Sequence, residues 1–300
     1  MSQPTEHIET PQTAHKPPNP RLKSWKIVFN KFKKNKSAMI GGFLIILLLI
    51  IAIVGPFFTP YEPYEQDIVN KLQSPSAEHW FGTDNFGRDI FSRVIQGTGL
   101  TLTIGFFSIA LGATLGVLFG LIAGFYGKRT DSIIMRVMDI LLAFPGILLA
   151  LAIVTVLGGS IANLIIAVAV SSIPVFARIV RGSVLSVKNL EYIDAMRALG
   201  ASDTRIIFKH IFPNITSPII VQATLSIATA ILSASGLSFL GLGAQPPSAE
   251  WGAMLSDGRN YLYNAGHVAL FPGLAIVVAV LAFNLLGDGL RDAFDPKTKE

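Results

Sequence analysis

An all-α integral membrane protein with six transmembrane helices is the fold class that this sequence predicts, on three observations. Its 300 residues are 51% hydrophobic and only 14% charged, where an average soluble domain is roughly 25% charged. Charge-free windows cover 37–61, 94–127, 140–177, 211–249 and 260–287, more than half the chain. A helix needs about 20 apolar residues to cross a hydrocarbon core. Finally, Lys and Arg are segregated between alternate loops. A soluble enzyme and a disordered protein are both excluded.

The elements follow in order. Residues 1–20 carry five prolines and read as a disordered tail rather than a cleavable signal. In residues 21–37, Leu22, Trp25, Phe29 and Phe32 recur at helical spacing among lysines. That pattern predicts an N-terminal amphipathic interfacial helix, with a plain basic flank as the alternative. The first transmembrane helix occupies 38–59, and an extracytoplasmic segment occupies 60–98. A core domain over 99–290 holds five more spans near 100–125, 133–157, 161–179, 217–240 and 268–286, and 291–300 is a second tail. Gly158-Gly159-Ser160 divides the longest pair of spans.

Six spans put both ends on one side. Twenty of the 24 basic residues fall on that side, and only Lys71, Arg88, Arg93 and Arg259 lie opposite. Positive charge stays inside, so both termini of this multi-pass protein are predicted to be cytoplasmic. There are no cysteines, hence no disulfide or thiolate site.

Within the spans, Gly112, Gly116, Gly120 and Gly124 form a ladder on one helix face that admits a neighbouring backbone, whether it packs or slides. Ser226, Ala230, Ala234 and Ser238 form a weaker one. Deep ionisable groups are nearly lacking. Arg136 and Asp139 are expected to pair with each other near an interface, and His267 is expected at a span edge. The chain has no GxxxxGK[ST] loop, GxSxG elbow or HExxH motif, so any ATP must be bound by another chain. No metal site or catalytic residue is assigned.

The basic loop 181–213 divides into two short helices. Gly200 ends the first, Ser202 caps the second, and Pro213 stops it. Leu190, Ile193, Met196 (or Arg197) and Leu199 can form an apolar stripe, with Glu191, Asp194 and Arg205 polar. Exposed apolar residues on such a helix invite a partner groove. A helix–Gly–helix unit also resembles a DNA-binding turn, but tethering between two spans argues against nucleic acid.

This loop resembles the signature of bacterial ATP-binding-cassette importer permeases: Glu-Ala-Ala, three residues, Gly, nine residues, then Ile-x-Leu-Pro. Here it reads Asp194-Ala195-Met196, Gly200 and His210-Ile211-Phe212-Pro213, with the spacing kept and four substitutions. The outer block Phe81–Gly97, with Gly82, Asp84, Gly87, Arg88, Asp89 and Arg93, is similar to one in the C-type permeases of dipeptide, oligopeptide and nickel importers. Asp139–Pro145, Leu237–Gly243 and Glu250–Met254 look like further blocks of that subfamily.

The resemblance implies a type I ABC importer permease fold. It also implies four kinds of partner: a homologous B-type permease, two ATP-binding-cassette ATPase subunits that hold ATP and Mg, an extracytoplasmic substrate-binding protein, and membrane lipid. The chain itself would be no enzyme and would hold no cofactor. Its helix around Asp194–Gly200 would dock on an ATPase, with Asp194 and Arg197 in polar contact, Met196 and Leu199 inserting and Gly200 at the bend. Di- or oligopeptides are the expected substrates, with nickel or another small solute as the alternative. A secondary transporter is the rival class. In the outer block, Asp84–Arg88 and Asp89–Arg93 have the i, i+4 order of helical ion pairs, with Thr83 as N-cap. A short exposed helix is therefore predicted there, either docking the binding protein or merely stabilising the loop.

Overall fold

The structure is a computed structural model and describes residues 30–294. Its helices are α1 (Lys36–Val54), α2 (Ile90–Tyr126), α3 (Lys128–Leu142), α4 (Gly146–Leu157), α5 (Ile161–Lys188), α6 (Glu191–Ala198), α7 (Asp203–Ile206), α8 (Thr216–Phe239), α9 (Trp251–Gly258) and α10 (His267–Phe294). Of the amphipathic stretch, residues 30–34 are helical; residues 21–29, like the tails 1–20 and 295–300, lie outside the described residues. Among the described residues, five helices are long and apolar enough to cross a membrane: α1, α2, α5, α8 and α10.

The glycine ladder fixes the centre of the bundle. Gly112 lies against Ala169 and Ser172, Gly116 against Ile173 and Phe176, Gly120 against Ala177 and Val180, and Gly124 against Arg181 and Val184. Both numbers rise together, so α2 and α5 are parallel. A Cβ at Gly116 would stand 2.5 Å from Phe176 Cβ and 2.6 Å from Ile173 O, closer than atoms can pack. The weaker ladder is buried as well, from Ser226 to Ser238 on α8.

Two parallel neighbours require the chain between them to cross back. Residues 128–157 do so, but not as the one continuous helix that the sequence predicts. They form α3 and α4, bent by 88° to each other, and together make a broken sixth crossing. The break falls at Phe144-Pro145. Proline has no N–H to continue the ladder, and the residue before it is pushed out of helical geometry. The expected Arg136–Asp139 pair does not form either: Asp139 Oδ1 accepts from Arg178 of α5 at 2.6 Å.

α1 runs antiparallel to α2, with Gly55 near Ile95 and Gly99 near Ala52. α10 runs antiparallel to α1, Gly41 lying against Ala282 and Leu286, and Asn35 Nδ2 donates to Asp292 Oδ2 at 3.0 Å. The described ends of the chain therefore meet at one end of the bundle, where the basic loops also lie. At the other end, residues 59–89 and 241–266 form a cap. Trp251 is buried there, its Nε1 donating to Val94 O at 3.0 Å.

Candidate coupling surface and charged cap

At the basic end, α6 ends as the sequence predicts. Gly200 has φ +79°, its N–H bonds Arg197 O at 2.9 Å, and Ala201 N–H reaches Met196 O at 3.0 Å. This is the paired closure of a helix by a left-handed residue. Ser202 Oγ then accepts from Arg205 N–H and opens α7. The second helix does not simply stop before Pro213. It widens into a π turn over Ile207–Ile211 and tightens into a 3₁₀ turn over Phe212–Asn214.

The expected apolar stripe splits into two. Ile193 is fully buried and Met196 half-buried, both packed on Leu121, Phe125, Val180 and Val184 at the ends of α2 and α5. Met196 thus packs in part on the chain's own core, with the rest of its side chain open beside Leu199. Leu199 is 82% exposed, and Glu191, Asp194, Ala195, Arg197 and Arg205 are exposed beside it or on α7. Arg197 donates to Asp194 at 3.2 Å and lies 5.6 Å over the Phe125 ring. α6 therefore has one face anchored on the helix pair α2/α5 and one face open.

Two contacts tie the same end together, and neither was singled out from the sequence. Arg181 grips Asp131 of α3 through Nε and Nη2 at 2.5 and 2.6 Å. Lys188 Nζ donates to Gly124 O at 2.7 Å, a cation placed on the carbonyls that end α2.

The opposite end overturns an expectation. Residues 81–89 are no helix; they form a tight hairpin with a bridge between Thr83 and Asp89. Asp84 Oδ1 accepts from the N–H groups of Phe86 and Arg88 at 2.8 and 3.0 Å, the side-chain turn that Asp favours. Gly82 and Gly87 sit at φ +75° and +74°, where side chains are disfavoured. Asp84 and Arg88 do pair, at 2.6 Å, but across that turn. Asp89 does not pair with Arg93. It caps α2 by accepting from Ser92 N–H at 2.8 Å and meets His79 Nδ1 at 2.9 Å. His267, expected at a span edge, reaches Thr83 O through Nε2 at 3.3 Å.

Nor are these charges exposed. Arg93 is 1% exposed. Its guanidinium donates to Pro63 O at 3.0 Å, Pro247 O at 3.4 Å and Ser248 O at 3.3 Å, and stands 3.6 Å from Asp84. Arg88 reaches on to Asp257 at 3.3 Å. One connected network thus ties the hairpin to residue 63, to the 247–248 loop and to α9. Burial pushes the Asp257 carboxyl above its ordinary range, against the pull of Arg88 and Arg93. Burial likewise raises Glu250, which caps α9 by accepting from Gly252 and Ala253 N–H at 3.0 and 2.9 Å.

Comparisons with known proteins bear on the whole chain. Residues 116–300 match the family of binding-protein-dependent transport system inner membrane components, and residues 23–75 match the N-terminal transmembrane domain of oligopeptide transport permease C. The dipeptide transport system permease protein DppC of Alkalihalophilus pseudofirmus is 50% identical, over 98% of this chain and 99% of that protein. The glutathione transport system permease protein GsiD of Escherichia coli O157:H7 is 52% identical, over 92% and 91%. The inward-facing methionine ABC transporter MetNI superimposes with a TM-score of 0.56 at 21% identity, over 69% of this chain and 98% of that one.

Proposed function

Since the chain belongs to the binding-protein-dependent transport inner-membrane components, we propose that it forms half of a peptide pathway across the inner membrane and is moved by ATPases docked on α6. It is the C-type permease subunit of an ATP-binding-cassette importer, and ATP hydrolysis belongs to separate subunits. The pathway lies between this chain and a homologous B-type permease. An extracytoplasmic binding protein delivers a short peptide to the capped end. Two ATPase subunits holding ATP and Mg work at the basic end, which faces the cytoplasm together with both termini.

One observation carries the mechanism: α6 is anchored on one face and open on the other. Energy released outside the membrane must be converted into exposure of alternate faces by a rigid element. Force on Leu199, Asp194 and Arg197 passes through Ile193 and Met196 into Phe125 and Val184. There α2 and α5 are locked backbone to backbone, so the pair moves as one body.

The test is uptake of radiolabelled dipeptide by cells expressing the whole importer. Gly200→Pro forces a residue held near φ −65° into a position at +79°, and Asp194→Lys inverts an exposed charge. Uptake should fall at least tenfold in both, with unchanged amounts of permease in the membrane. Unchanged uptake in both variants sinks the coupling assignment. Uptake that persists after ATP depletion and stops when the proton gradient is collapsed would indicate a secondary transporter.

A further inference from the structure

The hollows at membrane depth differ in character. One of about 540 Å³ between α1, α2 and α8 is lined by Leu48, Ile53, Phe106 and similar side chains, as a lipid-level surface should be. Another, of about 320 Å³, lies behind the broken crossing and mixes polar with apolar side chains. Ser171 and Ser172 of α5 line it, with Gln222, Ser226, Thr229 and Ser233 of α8. The four α8 positions are spaced 4, 3 and 4 residues apart and so share one helix face. Gly146 and Ile147, the first residues after the break, join the wall with the apolar Ile109 of α2, Val168 and Val175 of α5 and Ala230 of α8. A break in a membrane helix is tolerated where its backbone is buried in protein or lines an aqueous cavity, and interrupted helices recur at transport sites.

The chemistry of this face is specific. Ser171, Ser172 and Thr229 donate their protons to carbonyls of their own helices, each at 2.8 Å, which leaves their oxygens as acceptors. Gln222 donates from Nε2 to Ser226 Oγ at 2.9 Å and keeps its amide oxygen. The six side chains carry no charge. The face thus offers several weak acceptors and no strong grip, which suits a ligand that must leave again. A hollow of about 440 Å³ shares Gln222 and continues past Ser217 to Arg291, toward the basic end.

We propose that this face of α5 and α8 is where a translocated peptide touches the chain, through its main-chain N–H groups and terminal ammonium rather than its side chains. The proposal rests on the peptide-importer reading above. It makes this subunit indifferent to side-chain identity and leaves that choice to other components.

The chain has no cysteine, so single thiols can be introduced cleanly. In the assembled importer in proteoliposomes, Thr229→Cys and Ser233→Cys should react with a small charged methanethiosulfonate at least tenfold faster than Leu232→Cys, which lies on the same helix and is 58% exposed. Unlabelled alanylalanine supplied with ATP and the binding protein should slow the reaction severalfold. Gln222→Leu should cut uptake of dipeptides with small, large and acidic side chains by a similar factor of about ten, while ATPase activity stimulated by the binding protein persists. Equal thiol rates at 229, 233 and 232 would overturn the aqueous face. Unchanged uptake in Gln222→Leu, or loss confined to one kind of side chain, would overturn main-chain recognition. If the unmodified complex imports no dipeptide, the functional reading itself fails, whatever the thiol rates.

Discussion

The two ends of this bundle use charge in opposite ways. At the capped end, Asp84, Arg88, Asp89 and Arg93 are all buried and satisfied by one another, by carbonyls and by helix N–H groups. At the basic end, Asp194 and Arg197 are exposed beside an apolar side chain, Leu199, that is 82% open. Buried, hydrogen-bonded charge fixes a shape, because removing one member strands the others. Exposed charge around an uncovered apolar residue is the composition of a surface that awaits a partner. The same residue types therefore hold a lid together at one end and form a coupling handle at the other.

That contrast is broken most directly at Arg93. Replacing it by Leu leaves the carbonyls of Pro63, Pro247 and Ser248 without their donor and removes a buried positive charge 3.6 Å from Asp84, a change that costs about 3–5 kcal/mol in comparable buried networks. The expected outcome is loss of folded permease from the membrane fraction, or a large drop in Tm of the detergent-solubilised complex. Wild-type yield and Tm would show that the cap's ions are dispensable. Leu199→Glu sharpens the other side. It lies in the open, so stability should shift by no more than about 0.5 kcal/mol, while dipeptide uptake falls about tenfold and the ATPases copurify less. A folding defect here, or full activity, would remove the distinction between the ends.

The smallest effect concerns pH. Glu250 binds its proton more tightly in the folded state than in the unfolded chain, since burial raises its pKa. Its contribution to stability is therefore full below the ordinary carboxylate value and falls as pH rises through that value toward the raised one. Glu250→Gln should flatten this part of a Tm-against-pH profile by a few degrees. An unchanged slope would assign the pH dependence to other groups.

Much of this was legible in the sequence because the bilayer imposes a simple rule. Charge-free windows mark the spans, and the glycine ladder marks the α2/α5 contact. Gly200 and Ser202 mark the turn in the coupling loop. What escaped was set by tertiary context. The spacing of Asp84 and Arg88 fits a helix and a tight turn equally well, and only Gly82 and Gly87 on either side pointed to the turn. Counting apolar residues through 133–157 hid the break, although Pro145 announced it. Arg136 and Arg178 are both plausible partners for Asp139, and the choice depends on how α5 approaches. Met196 shares a stripe with Leu199, but the ends of α2 and α5 pass beneath only one of them. The hollow behind the break was the least legible, because its polar residues come from two helices and carry no charge.

The seam between α2 and α5 also acts as a phase reference. The glycines give its α2 side no side chain that could repack around an error, so the azimuth of α5 is set closely against the α2 backbone. One residue inserted between Gly112 and Gly124 would rotate everything beyond it by about 100° and mis-set the face that α5 turns toward α8. This stretch can change letters on its outward side, but it cannot change length.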